Sequence, residues 1–399
     1  MVPQRRLVVG VEAGCPPRMA ENLPMSKAGK LLRSPGEFFR DLLVKRYPET
    51  LEQEAERYRS AKHALPSLEH HEFEAYPVTF PVDAVYTWVD GSDPTWLAKK
   101  ASASVASHAL PPTSAAVTRF VSRDELKYSL RSLEMYAPWI RRVWLVTDGQ
   151  VPSWLDTTHP KVRMVDHTEI IPAQYLPTFN SHVIEAHLHR IPDLAEHFLY
   201  FNDDVLLARP ISAEYFFAGN GNPHLFVTRS QIPPGPIRSS DSPATVAAKN
   251  ARRLIQRHFG RQLVFRFAHV VHPQLRSLNE DIVAQFEPEF LAFFSNRFRS
   301  STDISLPSCL SPNFAYLSGR ADLRRAKYVY CNVRSPSAIR AYRMLLATRD
   351  TPRAAYCMCL NEFDVKGRYD DERLYESTCF LQEYFPEPSS FEKTGEADK

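Results

Sequence analysis

The chain has 399 residues, which is enough for one large domain with additions or for two modest ones. Hydrophobic residues make up 44% of it and charged residues 24%, so a globular fold can bury a sizeable core. The formal net charge of +3 is too small to indicate a nucleic-acid-binding protein. No run of about 18 apolar residues occurs, so the sequence predicts no membrane-spanning helix.

The cysteines and the N-terminus indicate the compartment. The six cysteines are scattered and include no CxxC pair, which argues against a disulfide framework. Cys357 and Cys359 would form half of a zinc site, but no matching half exists, so reduced structural thiols are the preferred interpretation. The apolar residues 7–9 are too few for the core of a signal peptide. We therefore expect a cytosolic protein.

Residues 1–75 are predicted to be an N-terminal extension with one amphipathic helix and a polar linker. Ser34 suits the N-cap of this helix, Pro35 its first position, and Glu37 completes a capping box. Basic residues surround its apolar side. Two interpretations stay open: the helix docks on its own protein, or it rests peripherally on an anionic membrane.

Residues 76–385 are predicted to form a single α/β domain. Buried strands are predicted at 83–89, 142–148, 161–165 and 198–202. Helices are predicted after a capping box of Ser122 and Glu125 and after an Asn180 N-cap. This βαβ alternation favours a Rossmann-like, mostly parallel sheet with helices on both faces. Residues 97–119, rich in alanine and serine, are predicted to be a mobile loop that closes over substrate.

The second half of the chain has weaker patterns. Residues 218–245 are rich in glycine, proline, serine and asparagine, and residues 246–300 look mainly helical. We therefore expect a helical insertion around 218–300. Residues 386–399 are expected to be a flexible tail.

Carboxylates follow two of the predicted strands. Asp90 and Asp93 follow the first, and Asp203 and Asp204 follow the strand at 198–202. Ligands of parallel sheets bind beyond the carboxyl ends of the strands, so these residues predict one acidic site. Hard oxygen ligands select Mg²⁺, Mn²⁺ or Ca²⁺, and Mg²⁺ usually keeps substrate phosphate among its ligands. The alternative for each pair is a turn or loop cap.

Two further pairs of residues could take part in catalysis or in substrate binding. His269 and His272 are three residues apart, which would place both on one helical face. They are either structural or include a general base that takes a proton from an acceptor hydroxyl. Arg297 and Arg299 are either a solvated pair or a bidentate grip on phosphate. The residues alone therefore indicate an α/β enzyme with a metal-dependent site for a phosphorylated or nucleotide substrate.

At these residues the chain resembles the stealth family of hexose-1-phosphate transferases. Four blocks are similar in order, at residues 83–93, 123–205, 268–299 and 359–362. In the last block Glu362 stands where many members have aspartate. The family includes the animal lysosomal-enzyme N-acetylglucosamine-1-phosphotransferase and bacterial capsule polymerases. Residues 76–81 and 230–235 are most similar to the meningococcal polymerases of serogroup X type.

The resemblance implies a GT-A-like catalytic domain, a UDP-N-acetylhexosamine donor, an oligosaccharide or capsular polysaccharide acceptor, and Mg²⁺ or Mn²⁺. The acceptor hydroxyl would attack the phosphorus attached to the sugar, and UMP would leave. The implied roles are catalysis by His269, Arg299 and Asp93, metal binding by Asp90, Asp203 and Asp204, and substrate binding by Arg131, Asn180, Ser181, His272 and Asn361.

Two other functions stay open. An ordinary glycosyltransferase would attack the sugar at C1 and release UDP. A non-catalytic saccharide-binding protein would need none of the proposed catalytic residues. Contact with the capsule-export machinery and assembly into a homo-oligomer are further expectations about partners.

Overall fold

The computed structural model describes residues 76–105, 123–335, 337–362 and 371–393, together with Pro35 and Phe39. Pro35 and Phe39 are helical, and the rest of the predicted N-terminal helix lies outside the described residues. The strands are β1 (Val82–Thr87), β2 (Val143–Thr147), β3 (Val162–Asp166), β4 (His197–Asn202), β5 (Val205–Leu207), β6 (His224–Gln231), β7 (Phe265–Phe267), β8 (His272–Leu275), β9 (Asp322–Arg324), β10 (Tyr328–Asn332) and β11 (Cys357–Asn361).

The α-helices alternate with these strands in the first half of the chain and predominate in the second. They are α1 (Pro94–Val105), α2 (Glu125–Tyr136), α3 (His167–Ile170), α4 (Ser181–Glu185), α5 (Pro243–Phe259), α6 (Arg276–Gln285), α7 (Glu287–Phe294), α8 (Ser311–Leu317), α9 (Ala338–Thr348) and α10 (Asp371–Tyr384). None of the described helices combines the length and apolarity needed to cross a bilayer.

The central sheet has the strand order β3-β2-β1-β4-β8. The first four strands are parallel, and β8 runs antiparallel to β4 at the edge. The predicted α/β fold with a mostly parallel sheet is confirmed. Thr87 is in register with Asn202, so β1 and β4 end side by side at the edge where ligands bind in such sheets.

Alternate side chains of each central strand enter two separate cores. Ala84 and Tyr86 of β1 pack with Leu126 of α2 on one face of the sheet. Val85 packs with Ile170 of α3 on the other face. Because both faces of the sheet are covered, consecutive residues of each strand are apolar, and the strands appear in the sequence as continuous apolar runs. Each fully buried large side chain contributes about 1.5–3 kcal/mol to folding.

A smaller sheet, ordered β10-β11-β5, extends the carboxyl edge of the central sheet. Strand β5 follows β4 after the two-residue turn Asp203-Asp204, and β11 pairs with it antiparallel. The Leu360 N–H donates to the Asp204 carbonyl at 3.0 Å. This pairing brings the end of β11 to the Asp203-Asp204 turn, although more than 150 residues separate them in sequence.

The structure corrects the helical prediction for residues 246–300. Helices α5, α6 and α7 are present, but residues 265–267 and 272–275 form strands β7 and β8. His269 and His272 therefore do not share a helical face. The edge of β4 supplies the hydrogen-bond partners of β8, and Pro273 is tolerated because β8 is itself an edge strand.

The loop predicted at residues 97–119 is also partly wrong. Residues 94–105 form α1, because Asp93 accepts hydrogen bonds from the Thr95 and Trp96 N–H groups and Pro94 occupies the first position. Trp96 is buried in a small cluster with Phe179 and Phe298. Residues 106–119 lie outside the described residues.

One helix start differs from the sequence pattern and another agrees with it. The N-cap residue of α2 is Asp124, and Ser122 of the predicted capping box is not among the described residues. Asn180 does cap α4 by accepting from the His182 N–H, as predicted. That helix ends at Glu185, and Leu188 belongs to a separate 3₁₀ turn, Leu188–Arg190.

The tail predicted to be flexible from residue 386 is anchored as far as residue 393. Phe391 is buried, and its carbonyl accepts from the Asp156 N–H at 2.8 Å. The Lys393 N–H donates to the Trp154 carbonyl at 2.9 Å. The prediction failed because a polar, proline-rich composition does not show that one aromatic side chain finds a pocket on the domain.

Candidate active site

Asp204 is the centre of a polar cluster at the carboxyl end of β4. Its Oδ2 accepts a hydrogen bond of 2.7 Å from the Asn361 side-chain amide at the end of β11. The Cys359 thiol lies 3.5 Å from the same oxygen. Asp204 Oδ1 is buried and has no hydrogen-bond partner in the described part of the chain. A carboxylate oxygen in this situation can accept a cation or a substrate proton donor.

His269 reaches this cluster from the loop between β7 and β8. Its Nε2 lies 4.0 Å from Asp204 Oδ1 and 3.2 Å from the Asn202 side-chain nitrogen. With the amide nitrogen facing the ring, Asn202 is the donor and Nε2 is the hydrogen-bond acceptor. The His269 side chain is 33% exposed, so a substrate can approach it. An accessible imidazole with an acceptor nitrogen beside a carboxylate is suited to general-base chemistry.

Asp203 adds a second carboxyl group beside Asp204 at this edge. Burial raises the pKa of Asp203 well above its ordinary value, and the neighbouring carboxyl groups of Asp204 and Glu125 raise it further. Acidic groups that oppose one another's ionisation in this way are stabilised by a nearby cation.

Arg299 lies in a second cluster at the start of α4. Its guanidinium contacts the Ser181 hydroxyl and the His182 ring. Asn180 supports this arrangement from beneath, because its amide donates to the Phe298 carbonyl at 3.1 Å and to Asp303 at 2.9 Å. Asn180 is fully buried, so it positions the cluster and offers substrate no surface.

Tyr200 connects the two clusters with the end of β1. Its hydroxyl lies 3.1 Å from the Thr87 hydroxyl on β1. Burial raises the pKa of Tyr200, and the charges of Asp203 and Arg299 act on the same hydroxyl with opposite sign. The Asp203-Asp204 turn and Arg299 therefore flank the same part of the sheet edge.

Asp90 and Asp93 form a third group on the loop after β1. Asp90 Oδ1 accepts from the Ser92 N–H at 2.8 Å and from the Ser92 hydroxyl at 2.6 Å. The Gln150 amide donates to Asp93 Oδ2 at 3.1 Å, and this bond is the main reason for the lowered pKa of Asp93. Both carboxylates thus act in a turn and a helix cap, the alternative that the sequence left open.

The structure places Arg131 and His272 in buried positions. Arg131 is buried and makes two hydrogen bonds of 2.7 Å to the Glu392 carboxylate. His272 is buried in β8 with its ring centre 6.3 Å from that of His269. Burial lowers the pKa of His272 to about 3, so it stays neutral. Their substrate-binding roles stay predictions, and both side chains are used in buried contacts.

Three family models match this chain, and they describe three conserved regions of Stealth proteins. Regions 1, 2 and 3 match residues 80–105, 119–225 and 268–312. A capsular polysaccharide phosphotransferase LcbA of Aeromonas hydrophila is 38% identical over 349 residues, covering 86% of this chain and 95% of the relative. LcbA of Neisseria meningitidis is 35% identical over 372 residues, covering 90% and 100%.

This chain belongs to the stealth family.

Other relatives of this stealth protein are longer. An exopolysaccharide phosphotransferase of Streptomyces coelicolor is 44% identical over 318 residues, covering 79% of this chain and 53% of the relative. The chain thus spans about half the length of the Streptomyces relatives that it matches. A solved galactosyltransferase LgtC covers 77% of this chain and 96% of its own, with a TM-score of 0.37 and 13% identity. That likeness is too low to carry an argument.

The clusters of this stealth protein are drawn from separate conserved regions. Asp203 and Asp204 lie in region 2, and His269 and Arg299 lie in region 3. Asn361 lies outside all three matched regions, yet it contacts Asp204. Folding therefore brings together residues that the conserved regions keep apart.

The oxygen donors of this stealth protein fit a hard divalent cation. Asp203 and Asp204 supply adjacent carboxylates, and the unpartnered Asp204 Oδ1 is an available ligand atom. Glu362 is not available, because Arg123 and Arg334 both form ion pairs with it. Mg²⁺ and Mn²⁺ in phosphoryl-transfer sites use one or two carboxylates of this kind together with substrate phosphate.

The sequence did not identify three neighbours of Asp204 and His269. Cys359 and Asn202 contact the cluster directly, and the Tyr330 ring lies edge-on to His269 with centres 6.2 Å apart. Their positions in the sequence could have identified two of them. Asn202 ends a strand directly before two carboxylates, and Cys359 precedes Asn361 by two residues.

Proposed function

We propose that this stealth protein transfers a sugar-1-phosphate from a nucleotide sugar to a hydroxyl group of a saccharide. The observation that carries the proposal is the position of His269, an accessible imidazole 4.0 Å from Asp204 at the carboxyl end of β4. Relatives named as capsular polysaccharide phosphotransferases, which this chain matches over most of their length, support it.

The proposed donor is UDP-N-acetylhexosamine, and the proposed acceptor is a capsular oligosaccharide or polysaccharide. The acceptor oxygen forms a bond to the phosphorus attached to the sugar. The bond between that phosphorus and the bridging oxygen of UMP breaks, and UMP leaves with the electron pair. His269 takes the acceptor proton, and the product is a sugar phosphodiester.

The remaining residues bind charge. Arg299 interacts with the transferred phosphate, held in place by Ser181 and the buried Asn180. Asp203 and Asp204 would hold Mg²⁺ or Mn²⁺, which supplies neutralisation of the diphosphate charge when it is bound. Asp90 and Asp93 shape the loop beside them and fix the start of α1, so their contribution to metal and donor binding is through the loop.

The product distinguishes this proposal from its alternatives. The purified protein is incubated with UDP-N-acetylglucosamine or its epimer, Mg²⁺ and a saccharide primer, and the nucleotide product is identified by chromatography. We expect UMP, together with a phosphodiester signal in the ³¹P NMR spectrum of the saccharide. UDP without phosphorus in the saccharide would instead identify a glycosyltransferase. No nucleotide release with any donor would favour a saccharide-binding protein.

We also propose that the protein acts at the cytoplasmic face of a membrane through its basic N-terminal segment, which the sequence predicts to be an amphipathic helix. Pro35 and Phe39 are helical, and Phe39 is 54% exposed. Apolar side chains rimmed by lysine and arginine suit an anionic bilayer surface. Flotation with vesicles containing anionic lipid should recover the full chain and lose it when residues 1–46 are deleted. Equal flotation of both forms would contradict the proposal.

A further inference from the structure

The cluster around Asp204 contains a second set of metal-ligand atoms. A carboxylate oxygen of Asp204, a ring nitrogen of His269 and the Cys359 sulfur all lie within 4.8 Å of one another. The Cys359 sulfur is 3.5 Å from Asp204 Oδ2, and His269 Nε2 is 4.0 Å from Oδ1. Ligand bonds of about 2.0–2.3 Å in a tetrahedral zinc site place ligand atoms roughly 3.3–3.6 Å apart. Small side-chain adjustments are therefore enough to close this triad on one ion.

The chemistry of the triad selects a different ion from the carboxylate pair. Thiolate and imidazole are ligands for zinc-type ions, whereas Mg²⁺ prefers oxygen and is a poor partner for sulfur. Three protein ligands with one open position resemble the arrangement of accessible rather than closed zinc sites.

The fold also positions the three side chains so that a metal ion can reach them from solvent. Cys359 is fully buried in β11, between β10 and β5, so its sulfur has a fixed position. His269 lies on a loop and is 33% exposed, which gives an ion a route from solvent. The unpartnered Asp204 Oδ1 faces His269 and has no bond to lose.

We propose that Asp204, His269 and Cys359 form a binding site for a thiophilic divalent ion such as Zn²⁺, and that its occupation inhibits the enzyme. On binding, the Cys359 thiol releases its proton to solvent as the sulfur–metal bond forms. The ion binds to His269 Nε2 and to Asp204. His269 is the proposed base for the acceptor hydroxyl, and Asp204 is a proposed ligand of the hard cation. The inhibition part rests on the proposed function, and the binding part does not.

Binding is tested on the full chain with Cd²⁺, whose bond to a thiolate gives an ultraviolet charge-transfer band. We expect one such band per chain at saturation, displaced by Zn²⁺ and not by Mg²⁺. Cys359→Ser should abolish it. Cys357→Ser is the matched control, because Cys357 is equally buried in the same strand and pairs with Leu207 rather than approaching Asp204. His269→Gln should weaken Cd²⁺ binding at least tenfold and serves if Cys359→Ser does not fold.

A band that persists in Cys359→Ser, or that has unchanged affinity in His269→Gln, would overturn the site. Inhibition is measured separately as the ratio of UMP release with and without Zn²⁺ at fixed Mg²⁺. We expect a loss of at least tenfold in the wild type and in Cys357→Ser, which raising Mg²⁺ does not relieve. A Cd²⁺ band in a protein that releases no UMP would keep the metal site and reject the proposed function. Full activity with the site saturated would reject the inhibition.

Discussion

At the scale of single residues, Asp204 connects more of the candidate site than any other side chain described above. Its two oxygens face different partners, with Asn361 and Cys359 on Oδ2 and His269 on the side of Oδ1. This division leaves one oxygen fixed by hydrogen bonds and the other available. The carboxylate is therefore oriented before any ligand binds, which reduces the reorganisation needed for catalysis.

Replacing His269 tests the residue-scale hypothesis. His269→Gln keeps a polar side chain at a partly exposed position, so we expect the protein to fold. Loss of a general base should lower kcat for UMP release by about 10²- to 10⁴-fold, with a smaller change in KM for the donor. The matched control is His258→Gln, since His258 is exposed and packs on Phe314 away from the site. A kcat within threefold of wild type would remove His269 from the mechanism.

At the scale of elements, the C-terminal segment fastens helix α2 to the domain. Arg131 on α2 forms a buried, two-bond ion pair with Glu392 and also donates to the Phe385 carbonyl at 2.8 Å. Removing one partner of such a pair leaves a buried charge and costs about 3–5 kcal/mol, whereas replacing both with apolar residues is often neutral.

We therefore predict that Arg131→Met lowers the free energy of unfolding by about 3–5 kcal/mol and that adding Glu392→Leu recovers most of the loss. Urea denaturation of both single variants and the double variant measures the coupling. Below the unfolding transition, KM for the donor should match wild type in all three. A raised KM in stable Arg131→Met would support the substrate-binding role that the resemblance to the stealth family implies for Arg131.

At the scale of the whole molecule, buried neutral histidines couple stability to pH. Burial lowers the pKa of His187 to about 4 and that of His272 to about 3, compared with about 6.5 in the unfolded chain. At pH values between the folded-state and the unfolded-state pKa, the unfolded state binds more protons than the folded state. The free energy of unfolding therefore decreases as the pH falls below 6.5. Each group accounts for up to about 2 kcal/mol between pH 6.5 and pH 5.

Unfolding midpoints in urea at several pH values between 7 and 5 measure this slope. We predict that His187→Asn removes the contribution of about one proton, while its amide keeps the bond to the Val183 carbonyl that the imidazole makes at 2.8 Å. An equal slope in wild type and His187→Asn would show that His187 titrates alike in both states.

The sequence by itself determined the central strands and the residues at their ends. Apolar runs that end before Asp90 and before Asp203 specify buried parallel strands, because such runs have few other stable environments. The positions of His269, Arg299 and Asn361 in the chain were also readable through the resemblance to the stealth family. Local spacing and composition are sufficient for predictions of this kind.

Only the tertiary structure decided which of those residues meet. Cys359 reaches Asp204 because β11 pairs with β5, and His272 enters a strand because β4 offers it an open edge. Arg131 is paired with Glu392, and residues 386–393 are anchored by the burial of Phe391. Each outcome depends on a partner far away in sequence, whose hydrogen bonds or apolar contacts outweigh local preference by a few kcal/mol.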